Sequence, residues 1–96
     1  GSDAQRTFEQ VFADIMFFSV KAISDDADVT DCSTEEIAVR HAMLKNSDKK
    51  VLLCDSTKYG HRAPFKQCDL CDVDYLIGEE NAAQYFAEFK NKIKLL

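Results

Sequence analysis

The run Asp55-Ser56-Thr57-Lys58-Tyr59-Gly60 places a carboxylate, two hydroxyls and an ammonium side by side, directly after the apolar stretch Val51-Leu52-Leu53-Cys54. An apolar run that stops abruptly in turn residues reads as a buried strand delivering its C-terminal end to a polar crevice. In open α/β sheets ligands bind at that edge. A lysine is a compact point charge suited to a phosphate or a polarised carbonyl, so the pattern points to a phosphorylated or otherwise anionic small molecule. Lys58 is the leading candidate contact. Asp55 can hydrogen-bond ligand hydroxyls, or close an Asx-turn onto its own backbone amides. Ser56 and Thr57 share that ambiguity, and Gly60 fits a positive φ.

Lys21 follows the apolar run Ile15-Met16-Phe17-Phe18-Ser19-Val20. In a parallel sheet it would lie beside the same crevice. Cys68-Asp69-Leu70-Cys71 has the spacing of redox and zinc sites. A zinc site would want a second such pair or two matched histidines; Cys32 and Cys54 are isolated, and His41 and His61 form no ligand pair. Trp, Gly and Pro, which accompany a thioredoxin-like motif, are missing around it. The cysteines therefore read as ordinary reduced thiols of a cytoplasmic protein. No metal, cofactor or catalytic residue is expected.

These residues need elements to position them. Ala4, Phe8, Val11 and Phe12 recur at helical spacing, predicting an amphipathic helix over 3–12. Residues 15–20 form a continuous apolar run, as in strands buried on both faces of a parallel sheet. The acidic, turn-rich stretch 24–32 reads as a loop. Ser33-Thr34-Glu35-Glu36 is a capping box, with Glu36 reaching back to Ser33, and its helix runs to about Asn46 with Ile37, Val39, Ala42 and Met43 for burial. Val51–Cys54 is the next strand. Residues 61–70 read as irregular with one short extended piece, and 73–78 as a third strand. Asn81 with Gln84 begins a last helix, with Ala82, Phe86, Phe89 and Ile93 on one stripe. Strands this apolar alternating with helices indicate a parallel α/β sheet. A chain beginning and ending on helices suggests part of a sheet.

The chain has 96 residues and a net charge of −5, which opposes direct binding to nucleic acid, since phosphate backbones need clustered Lys and Arg. The basic concentrations at 45–50 and 90–94 fit helix C-terminal turns better. No apolar run approaches the roughly 20 residues of a membrane span.

Several ordered motifs carry a family likeness. They are Ala13-Asp14-Ile15-Met16-Phe17-Phe18-Ser19, Ile23-Ser24-Asp25-Asp26, Val29-Thr30-Asp31-Cys32-Ser33-Thr34-Glu35-Glu36, Val39-Arg40-His41-Ala42-Met43-Leu44, the run 51–60, and Leu70-Cys71-Asp72-Val73-Asp74-Tyr75-Leu76-Ile77. Over about residues 1–80 they resemble the C-terminal sensor domain of DeoR-family bacterial transcriptional repressors. The resemblance implies a Rossmann-like fold related to ribose-5-phosphate isomerase and glucosamine-6-phosphate deaminase. It also implies binding of a phosphorylated sugar or polyol, homo-oligomerisation, and contact with operator DNA only through an N-terminal winged helix-turn-helix outside this chain. Residues 1–96 then form one partial domain, its second half, and the hydroxyl- and glycine-rich phosphate cradle belongs to the first. Lys58 matches a functional lysine of the isomerase relatives. Ser19 and Ala22, flanking Lys21, stand where the family usually has small glycines. The effector-binding candidates are thus Lys58, Asp55, Lys21, Ser19 and Ala22. An enzyme of the isomerase or deaminase class is the alternative, but the turn Ser19-Val20-Lys21-Ala22-Ile23 carries no acid to serve as base. A fragment that only self-associates is the third reading.

Overall fold

The computed structural model describes residues 2–79, 81–89 and 94–95. In chain order the elements are helix α1 (Ser2–Glu9), strands β1 (Ala13–Ser19), β2 (Ala22–Ile23) and β3 (Asp28–Asp31), helix α2 (Thr34–Lys45), strands β4 (Ser47–Leu53), β5 (Phe65–Asp69) and β6 (Tyr75–Ile77), helix α3 (Ala82–Tyr85) and strand β7 (Lys94–Leu95). The apolar runs pair in parallel, in the order β1-β4-β6-β7. Ser19, Leu53 and Ile77 are in register, so three strands end along one edge. This is the parallel-sheet, Rossmann-like α/β class expected from the sequence.

A second sheet, β2-β3-β5, is antiparallel. It corrects the reading of 24–32 as loop. The Ser24–Ala27 turn and Cys32 are irregular: Ala27 adopts φ +62°, and its N–H donates to the Ser24 carbonyl at 2.9 Å. Beyond it Val29 and Thr30 are buried. Long-range pairing with β5 overrides the local turn signal here. Met16, Phe18 and Leu52 of the parallel sheet meet Ile23 and Val29 of the second sheet in one core, joined by Leu44 of α2.

The first run is not buried on both faces. Met16 and Phe18 are buried, but Ile15 and Phe17 remain 51% and 61% exposed, and Leu53 and Ile77 are exposed on the other strands. The main core lies on one side of the sheet, and on the other Val51 is buried between these partly exposed neighbours. Helix α1 also stops earlier than its stripe predicts, leaving Val11 and Phe12 exposed.

Ser33 caps α2 by accepting the Glu36 amide. The Glu36 carboxylate does not reach back. It pairs with Arg40 at 3.0 Å, and Arg40 also meets the buried Asp31 at 2.8 Å. Asn81 makes no side-chain cap. The last helix is short, followed by a 3-10 turn over Ala87–Phe89 and then β7, so the described chain does not end on a helix. Ala82 and Phe86 are buried, whereas Ile93 lies outside the described residues. No described helix is long and apolar enough to cross a membrane.

Candidate functional site

Beyond Leu53 the chain follows β6 for one more bond, Cys54 N–H to the Ile77 carbonyl at 3.1 Å. Asp55 then caps a 3-10 turn over Ser56–Lys58. Its Oδ1 accepts the Thr57 amide at 3.1 Å and also the Thr57 hydroxyl. The Asx-turn reading of Asp55 therefore holds. The Thr57 hydroxyl, then its amide and the nearby Lys58 charge, hold the Asp55 carboxyl below its ordinary value. The Lys58 ammonium lies 3.9 Å from Asp55 Oδ2, with about a third of the side chain exposed.

Tyr59 locks the turn from beneath. The residue is buried, its hydroxyl donates to the Cys54 carbonyl at 2.9 Å, and its ring meets Phe86 edge-on at 4.9 Å. Burial raises the phenol pKa, keeping the proton that this bond needs. Gly60 turns the chain with φ +78° and donates its N–H to the Ile23 carbonyl at 2.8 Å. With the Ile23–Tyr59 bridge, this lays the Lys21–Ile23 segment alongside Lys58–Gly60.

The fold thus brings Asp55, Lys58 and the Lys21 segment together at one sheet edge. Lys21 is exposed, and its backbone N–H donates to the Thr30 carbonyl at 3.2 Å. Ser19 is exposed at the end of β1, beside Leu53. Ala22 is buried, and its carbonyl accepts the Thr30 hydroxyl at 3.1 Å. Its methyl therefore belongs to the core beneath the edge.

Sequence reasoning missed Glu79. Its carboxylate accepts the Ser56 amide at 3.2 Å and the Ser56 hydroxyl at 3.1 Å. The available signal was Gly78-Glu79 following a strand parallel to Val51–Leu53, because neighbouring parallel strands end at the same edge. A cavity of about 440 Å³ lies elsewhere, lined by His41, Lys45, Lys50 and Cys68 among others, and one of about 280 Å³ lies between α1 and β1.

All four cysteines are free. Burial pushes the Cys54 thiol up to about 11 and the Cys68 thiol to about 12, so both stay protonated and unreactive near neutrality. Among the described residues no His, Cys, Asp or Glu cluster could hold a metal ion.

Residues 1–80 match the family described as the DeoR C terminal sensor domain. The deoxyribose operon repressor of Escherichia coli K12 is 29% identical over 77 residues, covering 80% of this chain and 31% of that protein. The glycerol-3-phosphate regulon repressor of Haemophilus influenzae is 29% identical over 85 residues, 85% of this chain and 33% of that protein. An uncharacterized HTH-type transcriptional regulator of Haemophilus influenzae is 30% identical over 100 residues, covering 100% and 39%. The chain spans about a third of the length of these relatives. With its parallel sheet and a family match over residues 1–80, this chain belongs to the DeoR C-terminal sensor domain family.

Proposed function

We propose that this chain is the effector-sensing and oligomerisation part of a cytoplasmic DeoR-type regulator of sugar metabolism, responding to a phosphorylated sugar or polyol. In this reading it is the second half of a sensor domain, operator contact falls to a winged helix-turn-helix elsewhere in the regulator, and no residue here is catalytic. One observation carries the reading. In a chain of the sensor family, the ammonium of Lys58 stands partly exposed at the C-terminal edge of a parallel sheet, with Asp55 at 3.9 Å. Lys58 takes the effector's anionic group, Asp55 and Ser19 stand near its hydroxyls, and Lys21 adds a second cation. Ala22 shapes the floor. The relatives' names, a deoxyribose operon repressor and a glycerol-3-phosphate regulon repressor, fit small polyhydroxylated effectors.

The test is Lys58→Ala in the full-length regulator. A charge-assisted hydrogen bond contributes about 1.5–3 kcal/mol, so the effector concentration that releases operator should rise roughly 10- to 100-fold. The urea midpoint should hold, because a half-exposed ion pair contributes little to stability. A dose–response curve that does not move would refute the assignment. Oligomerisation is supported by the exposed Ile15, Phe17, Leu53 and Ile77 on the parallel sheet, since such sheets are normally covered on both faces. Sedimentation of the isolated chain as a compact monomer would contradict it.

A further inference from the structure

The turn that carries Lys58 already holds an anion of the chain's own. Glu79 takes both the amide and the hydroxyl of Ser56, at 3.2 and 3.1 Å. Asp55 takes the amide and hydroxyl of Thr57 through its side chain, and its backbone carbonyl accepts the Lys58 amide at 3.2 Å. Every donor of Ser56 and Thr57 is thus engaged from within the chain. An incoming phosphoryl group can pair with the Lys58 ammonium, but it can hydrogen-bond Ser56 only where Glu79 now sits.

Glu79 is exposed and lies in the short connection between β6 and α3. Its backbone carbonyl accepts the Ala82 amide at 2.9 Å. The same segment continues to Tyr85, whose hydroxyl donates to Asp25 at 2.5 Å, and to Phe86, buried against Tyr59. A carboxylate released from Ser56 would therefore free a connection fastened at its far end to the β2–β3 turn and to the core.

We propose that Glu79 is an internal competitor for the effector's anionic group. It occupies the Ser56 donors in the empty state and is displaced on binding, and its departure transmits occupancy to the β6–α3 connection. This rests on the Lys58 reading above. Two anionic groups cannot share the same pair of donors, because like charges at hydrogen-bond range repel strongly. The observed effector affinity is then the intrinsic affinity scaled by the fraction of molecules in which Glu79 has let go.

The experiment is an amide-resolved NMR titration of the full-length regulator, isotope-labelled across this 96-residue segment, with inorganic phosphate at constant ionic strength. It compares the unaltered chain with Glu79→Gln, Lys58→Ala and Asp26→Asn. The last removes an acidic charge from an exposed residue that pairs with Arg62 and controls for simple loss of negative charge. In the unaltered chain phosphate should shift the Ser56 and Glu79 resonances together. Glu79→Gln should tighten phosphate roughly five- to tenfold, for a resident state populated at about 80–90%, while Asp26→Asn changes it less than twofold. Equal tightening by Glu79→Gln and Asp26→Asn, or none by Glu79→Gln, overturns the competitor role. If Lys58→Ala still weakens phosphate in that case, the Lys58 reading survives alone. A Ser56 resonance unmoved in every variant, with Lys58→Ala without effect, overturns both.

Discussion

Gly78 and Tyr59 face each other beneath the Lys58 turn, and their coupling can be worked from the geometry. A methyl group at Gly78 would fall well inside van der Waals contact of the Tyr59 hydroxyl, and at 3.1 Å from the Cys54 carbonyl oxygen and 3.2 Å from the Ala82 Cβ. The Tyr59 hydroxyl is the atom that donates to that same Cys54 carbonyl, at 2.9 Å. Gly78→Ala must push the ring aside and break this bond, and overpacking of this kind costs about 1–3 kcal/mol. Tyr59→Phe alone should cost about 1–2 kcal/mol by leaving a buried carbonyl short of its donor. In the double variant the clashing oxygen is gone. Only the contacts beyond 3 Å remain, so the combined cost should fall short of the sum by about 1 kcal/mol or more. Urea unfolding followed by far-ultraviolet circular dichroism, at fixed m-value, measures the cycle. Single-variant costs that add to within about 0.3–0.5 kcal/mol, the range for independent sites, would refute the claim that glycine is required here to admit the Tyr59 latch.

Three further outcomes concern the buried ion pair and the thiols. Arg40→Met should destabilise by about 3–5 kcal/mol, because it strands the buried Asp31 carboxylate, now 2.8 Å from the guanidinium. The Asp31→Asn/Arg40→Met pair should cost less than the sum, and a single-variant loss below about 1 kcal/mol in urea unfolding would contradict this. Iodoacetamide at pH 8 should label the exposed Cys32 and Cys71 well before the folded chain yields Cys54 or Cys68, read by peptide mass. Because the folded pKa values of Cys54 and Cys68 lie above the ordinary thiol value of 9.0, at about 11 and 12, the folded state keeps protons that the unfolded chain releases. Stability should be level below pH 9 and fall as pH rises through 9–11; a rise there would be inconsistent with buried thiols.

The turn at Asp55–Gly60 was legible because it needs only local chemistry. A carboxylate that caps its own turn, hydroxyls, and a glycine at positive φ are read from adjacent residues. Helix α2 was legible for the same reason: Ser33 caps it and Asn46 ends it. The second sheet was not, since β3 reads locally as acidic turn and becomes a strand only by pairing with β5, more than 30 residues away. Glu79 was hidden for a related reason. Its partner Ser56 is 23 residues distant, and no spacing rule connects two residues that meet because β4 and β6 end at one edge.

The order of residues alone determined the parallel α/β class and the lysine in the turn after β4, for apolar run length and turn chemistry are short-range properties. Folding in three dimensions decided which sheet face keeps apolar side chains exposed, that Ala22 points into the core, and that the Lys58 turn is already occupied by Glu79. Those outcomes depend on strand register and on which surfaces meet, and these are settled by burial summed over the whole chain.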